Sequence, residues 1–97
     1  MKIVKESMAG TLESSDVLVK VGPSDETLDI VVRSEVGRQF GTQIRSVVAE
    51  TLGRLAISEG FVVVEDKGAL DCTIRARLQA AVLRGCAVES LNWSVLS

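Results

Sequence analysis

Leu28-Asp29-Ile30-Val31-Val32-Arg33-Ser34-Glu35-Val36 is the stretch in which the apolar pattern of this chain changes its period. Leu28, Ile30 and Val32 alternate with polar or outward positions, which places them on one face of a strand. From Val36 onward the apolar residues recur at steps of three and four. Val36, Phe40, Ile44, Val47, Val48, Leu52, Leu55 and Ala56 form the stripe of an amphipathic helix. Ser34 is placed to cap that helix, Glu35 suits its positive first turn, and Gly60 is placed to end it. Gly37, Gly41 and Gly53 fall inside the pattern. Each costs about 1 kcal/mol relative to Ala, a cost that close approach of the helix backbone to a sheet would offset.

Reading outward toward the N-terminus, Val17-Leu18-Val19-Lys20-Val21 is a short β-branched run whose valines share one face. Gly22-Pro23-Ser24-Asp25 reads as a turn, so residues 17–21 and 28–33 are expected to pair as an antiparallel hairpin. Ser14-Ser15-Asp16 is small and polar, as turn residues are. Residues 7–13 suit a short strand with Met8 and Leu12 on one face, weakened by Gly10. Toward the C-terminus, Phe61-Val62-Val63-Val64-Glu65 is apolar on both faces and is expected at the centre of the sheet. Asp66-Lys67-Gly68 is a turn. Residues 69–85 fit a strand through Leu70, Cys72, Ile74, Ala76 and Leu78, and a helix through Leu70, Ile74, Leu78, Ala81 and Val82. Length and the Ala, Leu, Arg and Gln content favour the helix.

The order is therefore β-β-β-α-β-α. Two helices on one face of a small, mostly antiparallel sheet bury both apolar surfaces, which makes a two-layer α+β sandwich. Ninety-seven residues suffice for one such domain. With Phe40, Phe61 and Trp93 as the whole aromatic complement, its core must be aliphatic. Residues 86–97, with Trp93, read as a loosely structured tail.

Composition narrows the function. A net charge of −2 gives no cationic surface for nucleic acid, and the aromatics are too few to stack single strands. No stretch approaches the roughly 18 apolar residues of a membrane span. The N-terminus lacks the apolar core of a signal peptide, so the chain is expected to be cytoplasmic. Histidine is absent, which removes Ser-His and Cys-His nucleophile pairs and His metal ligands. No metal site is expected. Cys72 and Cys86 match no zinc spacing and are expected as buried thiols. Gly37-Arg38-Gln39-Phe40-Gly41 follows no nucleotide fingerprint. Asp66-Lys67-Gly68-Ala69-Leu70-Asp71 is read as a turn and helix start rather than an anion site, because its two carboxylates oppose further negative charge. The arginines at 33, 38, 45, 54, 75, 77 and 84 are expected mostly solvated or paired with carboxylates. An exposed turn serine can enter another enzyme's active site, as a residue pinned in a strand cannot. By that criterion Ser14, Ser15 and Ser24 are equal.

Ala9-Gly10-Thr11-Leu12-Glu13-Ser14 resembles the attachment motif of citrate lyase acyl carrier proteins. Gln39-Phe40-Gly41, Ile44-Arg45, Asp66-Lys67-Gly68-Ala69-Leu70-Asp71-Cys72 and Arg75-Ala76-Arg77-Leu78 are similar to that family as well, in the right order over essentially the whole chain. The resemblance implies a single acyl carrier domain over 1–97 and a non-catalytic phosphoprotein subunit for citrate fermentation. Ser14 would carry phosphoribosyl dephospho-coenzyme A through a phosphodiester, installed by a separate transferase. The arm would present acetyl and citryl thioesters to the alpha (acyl transferase) and beta (lyase) subunits as citrate is cleaved to acetate and oxaloacetate. The family pattern has Gly after the modified serine, where this chain has Ser15. Two other readings stand beside this one: a non-covalent adaptor or assembly module, and the carrier of a related lyase such as citramalate lyase. A stand-alone carboxylate enzyme would need a pocket of shifted acids.

Overall fold

A computed structural model describes residues 2–34 and 38–86. In chain order it contains β1 (Ser7–Gly10), β2 (Val17–Thr27), β3 (Asp29–Ser34), α1 (Arg38–Arg54), β4 (Glu59–Asp66) and α2 (Asp71–Gly85). This is the α+β order expected, and residues 71–85 are helical rather than extended. The strands form one sheet in the order β1-β2-β4-β3. β1 with β2 and β2 with β4 are antiparallel, whereas β3 runs parallel to β4.

The expected hairpin of β2 with β3 does not form. β4 lies between them, pairing Val19 with Val64 on one side and Val32 with Val64 on the other. The reason lies in two connections. A parallel pair needs a crossover, and the 17-residue α1 supplies it between β3 and β4. The β2–β3 link must then step across β4, two strand spacings of about 4.8 Å each, which a tight turn cannot span. Gly22-Pro23-Ser24-Asp25 accordingly does not turn. It lies within β2, where the register shifts between Gly22, opposite Phe61, and Thr27, opposite Glu59. The Leu28 N–H donates to Ser58 O at 3.3 Å as the chain rounds the start of β4. Gly22 is needed where the strands still pair, because an added Cβ would lie 2.3 Å from the Phe61 ring.

The core is aliphatic, as expected. Val17, Val19 and Val21 of β2 and Val62 and Val64 of β4 point to the helical layer, where Ile44, Val47, Val48, Leu52, Leu55, Ile74, Leu78, Ala81 and Val82 close over them. Ile3 is sealed in beside them, bridged to Cys86, while Val4 and Lys5 N–H both donate to Gly85 O. In β1 it is Ala9 that faces inward. Met8 is 54% and Leu12 53% exposed, so the face expected for these two is the outer one.

The C-terminal boundary of the long pattern differs from the expectation, and Glu35, expected in its first turn, lies outside the described residues. Ser34 is the last residue of β3, and its hydroxyl donates to Asp66 Oδ2 at 3.1 Å. The helix ends six residues before Gly60. Ile57 N–H donates to Leu52 O, and Ala56 N–H to Gly53 O, with Ala56 at φ 56°. That pair of bonds is a Schellman closure with alanine in the position glycine usually fills. Gly60, at φ 122°, instead opens β4 against Gly22 O. Gly41 and Gly53 make no close backbone approach, since an added Cβ would meet nothing within 4 Å. Val36 and Gly37 lie outside the described residues, as does Trp93 with residues 87–97.

Candidate functional site

The β1–β2 connection is the chemically distinctive end of the molecule. Gly10 starts it at φ 97°, with so little room that an added Cβ would stand 1.8 Å from Val17 O. Asp16 N–H donates to Glu13 O at 3.1 Å, closing a β-turn over Glu13-Ser14-Ser15-Asp16. Ser14 takes the second position and Ser15 the third, where φ is 66°. A positive φ at that position is what a type II turn requires and what glycine supplies without strain. The expectation of Gly after Ser14 thus has a backbone cause, and Ser15 occupies the place at some conformational cost.

The turn is clamped on two sides. Ser15 N–H donates to Lys67 O at 2.8 Å and Lys67 N–H to Asp16 O at 3.0 Å, so the Asp66-Lys67-Gly68 bend carries the turn as a short ladder. That bend is held by the buried Asp66, whose carboxylate accepts from Ser34 Oγ and from Ala69 N–H at 2.9 Å. Asp16 is the second clamp. Its carboxylate accepts from Thr11 Oγ1 at 2.6 Å, from Val17 N–H at 2.8 Å, and from Arg77 Nε and Nη2 at 3.2 and 3.3 Å. The Thr11 hydroxyl bond foremost, then the Val17 N–H and, more weakly, the Arg77 guanidinium, hold this carboxyl below its ordinary value of 3.8 against the opposing effect of desolvation. Thr11 Oγ1 in turn accepts from Glu13 N–H.

Within this frame Ser14 and Ser15 are both exposed, and neither hydroxyl has a hydrogen-bond partner among the described residues. Ser24, the third serine of equal standing in the sequence, lies in the irregular part of β2 at the other end of the sheet and has a polar partner. The site can offer a nucleophilic oxygen on a fixed corner. The neighbouring Asp16 carboxylate is already engaged by Thr11, Val17 and Arg77.

Beside the turn runs a groove of 790 Å³ lined by Gln43, Ile44, Gly68, Ala69, Leu70 and Arg75, with Asp71 and Cys72 at the α2 N-terminus. Cys72 is exposed rather than buried, whereas Cys86 is buried; both are free thiols. Among the described residues no group of acids and cysteines is arranged to hold a metal, and no helix is long and apolar enough to cross a membrane.

Curated relatives match this chain from end to end. Citrate lyase acyl carrier proteins of Albidiferax ferrireducens and Enterobacter sp. strain 638 are 62% and 60% identical to it, covering 99% and 100% of both chains. That of Vibrio cholerae is 51% identical over 100% of both. The chain belongs to the citrate lyase acyl carrier protein family. A family model described as the malonate decarboxylase delta subunit (MdcD) also matches residues 4–85, a span that contains every element of the sheet and both helices.

The family motif now has a structural meaning. Gly10 admits the turn, Thr11 and Asp16 brace it, and Ser14 stands at its corner. Asp66-Lys67-Gly68 and Arg77 lie far away in sequence yet form the other half of the clamp. Sequence reasoning read the first as a turn and expected Arg77 solvated or paired with a carboxylate, without placing either beside Ser14. Their role depends on pairing across 61 residues between Asp16 and Arg77, which no local spacing encodes. The readable signal was confined to the recurrence of Arg75-Ala76-Arg77 in the motif.

Proposed function

We propose that this chain is the covalent carrier of citrate lyase, bearing phosphoribosyl dephospho-coenzyme A on Ser14 through a phosphodiester. Family membership supports the carrier role. The residue assignment rests on the register of the family motif, and the observation that supports it is the exposed, unbonded serine hydroxyl at the corner of a turn clamped on both flanks, a property Ser15 shares. The group supplies a terminal thiol, on which acyl groups are held as thioesters. The chain itself supplies no catalysis. Ser14 gives the anchoring oxygen, and the base that deprotonates it comes from the transferase. The clamp keeps that oxygen at a constant place relative to the body, so that docking the body delivers the tether. Tethering replaces two bimolecular encounters by local ones at high effective concentration.

The whole of 1–97 serves as one acyl carrier domain that works in the cytoplasm with the alpha and beta subunits and the transferase. It is a carrier and not an enzyme. The match to a model described for a malonate decarboxylase subunit favours a second reading at the level of substrate: the same scaffold carries acyl groups for more than one acid. The full-length relatives, named citrate lyase acyl carrier proteins, support citrate as the acid.

Intact-mass measurement after co-expression with a complete citrate lyase operon tests the reading. The wild-type chain gains the mass of the group, and Ser14→Ala gains none. An adduct retained in Ser14→Ala would move the anchor to Ser15. An unmodified wild-type chain that still assembled with the other subunits would establish the adaptor reading instead.

A further inference from the structure

We propose that the groove between α1 and the start of α2 is a resting berth for the nucleotide-derived near end of the arm on Ser14. This rests on the carrier reading above. Three observations lead to it. The first is continuity: Ser15 N–H is bonded to Lys67 O, and the groove begins at the next residue, Gly68. The second is size and lining. At 790 Å³ it lies within the range of small-molecule sites, and it offers Ile44, Ala69 and the 72%-exposed Leu70 as an apolar wall. The third is charge. Arg75, half-buried in the wall, has no hydrogen bond or ion pair among the described residues, and the arm's phosphates are anionic.

A second cavity, which shares Asp66 with the groove and also reaches Leu12 and Lys67, is the weaker candidate. It measures 260 Å³, and its Arg33 is engaged by Glu65 at 3.4 Å. The two acids of the groove are occupied too. Asp66 is held by Ser34 and Ala69, and Asp71 accepts from Gln43 Nε2 at 3.3 Å. Occupancy needs little intrinsic affinity. A short tether supplies an effective concentration in the millimolar range, so a dissociation constant about tenfold below it leaves about nine-tenths of the arm docked. An arm held so loosely still leaves for a partner subunit that binds it better.

Cys72 stands in the same wall and is exposed, while Cys86 is buried with its thiol pushed up by desolvation. The pair makes a built-in footprint. Iodoacetamide alkylation of Cys72, followed by peptide mass spectrometry, is compared between chain shown by intact mass to be fully loaded on Ser14 and unloaded chain, with Cys86 as the unreactive reference. Docking slows Cys72 alkylation about tenfold in the loaded chain. In loaded Leu70→Ser and Arg75→Ala, both wall substitutions rather than core ones, the rate returns toward the unloaded value. Equal rates in loaded and unloaded wild type overturn the berth while leaving the carrier reading intact. Protection that persists in both variants overturns the assignment of Leu70 and Arg75. Absence of any adduct on Ser14 fails the carrier reading itself.

Discussion

Ser15 holds φ 66° at the third position of the serine turn, and for a residue with a Cβ that region costs on the order of 1 kcal/mol or more. Ser15→Gly therefore stabilises the chain by about 0.5–1 kcal/mol after allowing for glycine's freer unfolded state, and leaves the adduct mass on Ser14 unchanged. Thermal unfolding and intact mass of the variant check both parts. Asp16, two residues from the proposed anchor, makes the turn sensitive to acid. Its folded carboxyl titrates below 3.8 because Thr11, Val17 N–H and Arg77 favour the charged form. The depressed value means that the stability it confers is complete well above pH 3.8. That stability fades as pH falls past the unfolded value and is gone below the folded one. The Tm gap between wild type and Asp16→Asn is accordingly widest near neutrality and closes as pH is taken below 3.8. A gap that stays constant with pH would remove Asp16 from the clamp.

At the level of the elements, α1 is closed by a Schellman pair with Ala56 at φ 56° and carries Gly53 on an open face. Ala56→Gly relieves the left-handed alanine, and Gly53→Ala removes backbone entropy without touching a neighbour. Each is expected to raise stability by about 0.5–1 kcal/mol, and the double variant by less than the sum, because Ala56 N–H bonds to Gly53 O. Chemical denaturation of the three variants measures this. Gly22 behaves oppositely. Gly22→Ala drives a Cβ to 2.3 Å from the Phe61 ring, so it destabilises by about 1–3 kcal/mol, seen as a lowered denaturation midpoint. Arg54, in the last turn of α1, pairs with Glu50 one turn earlier at 2.8 Å, a favourable orientation worth a few tenths of a kcal/mol.

At the scale of the whole molecule, one aliphatic layer joins both helices to β2 and β4, so truncation at its centre acts globally. Leu78 is completely buried. Leu78→Ala leaves a cavity and costs about 3 kcal/mol, a large share of the roughly 5–10 kcal/mol total stability of a chain this size. Its Tm is expected to fall by about 12 °C or more in calorimetry. The same layer reaches the serine turn. α2 contributes Leu78 to the core and, one residue earlier, Arg77 to the serine turn, so the orientation of the proposed anchor is coupled to the packing of the body.

Local information was enough for most of this molecule. Period two in residues 17–21 and 28–33, period three to four through 44–55, and the apolar run 61–65 specified the elements, the central place of β4 and the aliphatic core, because amphipathic periodicity is a property of neighbouring residues. The family motif singled out Ser14 as the expected anchor and marked Ser15 as a departure from the expected glycine, whose backbone angle only the structure shows. What the sequence could not announce was which strands become neighbours. Gly22-Pro23 signals a turn to any local rule, yet it became an irregular reach around β4, since the β3-α1-β4 crossover competes for the same edge. The clamp of Asp16 on Arg77 and of Ser15 on Lys67 likewise exists only after the sheet and α2 have packed. Contacts between residues distant in sequence depend on the sum of all burial and pairing energies, and only the folded chain evaluates that sum.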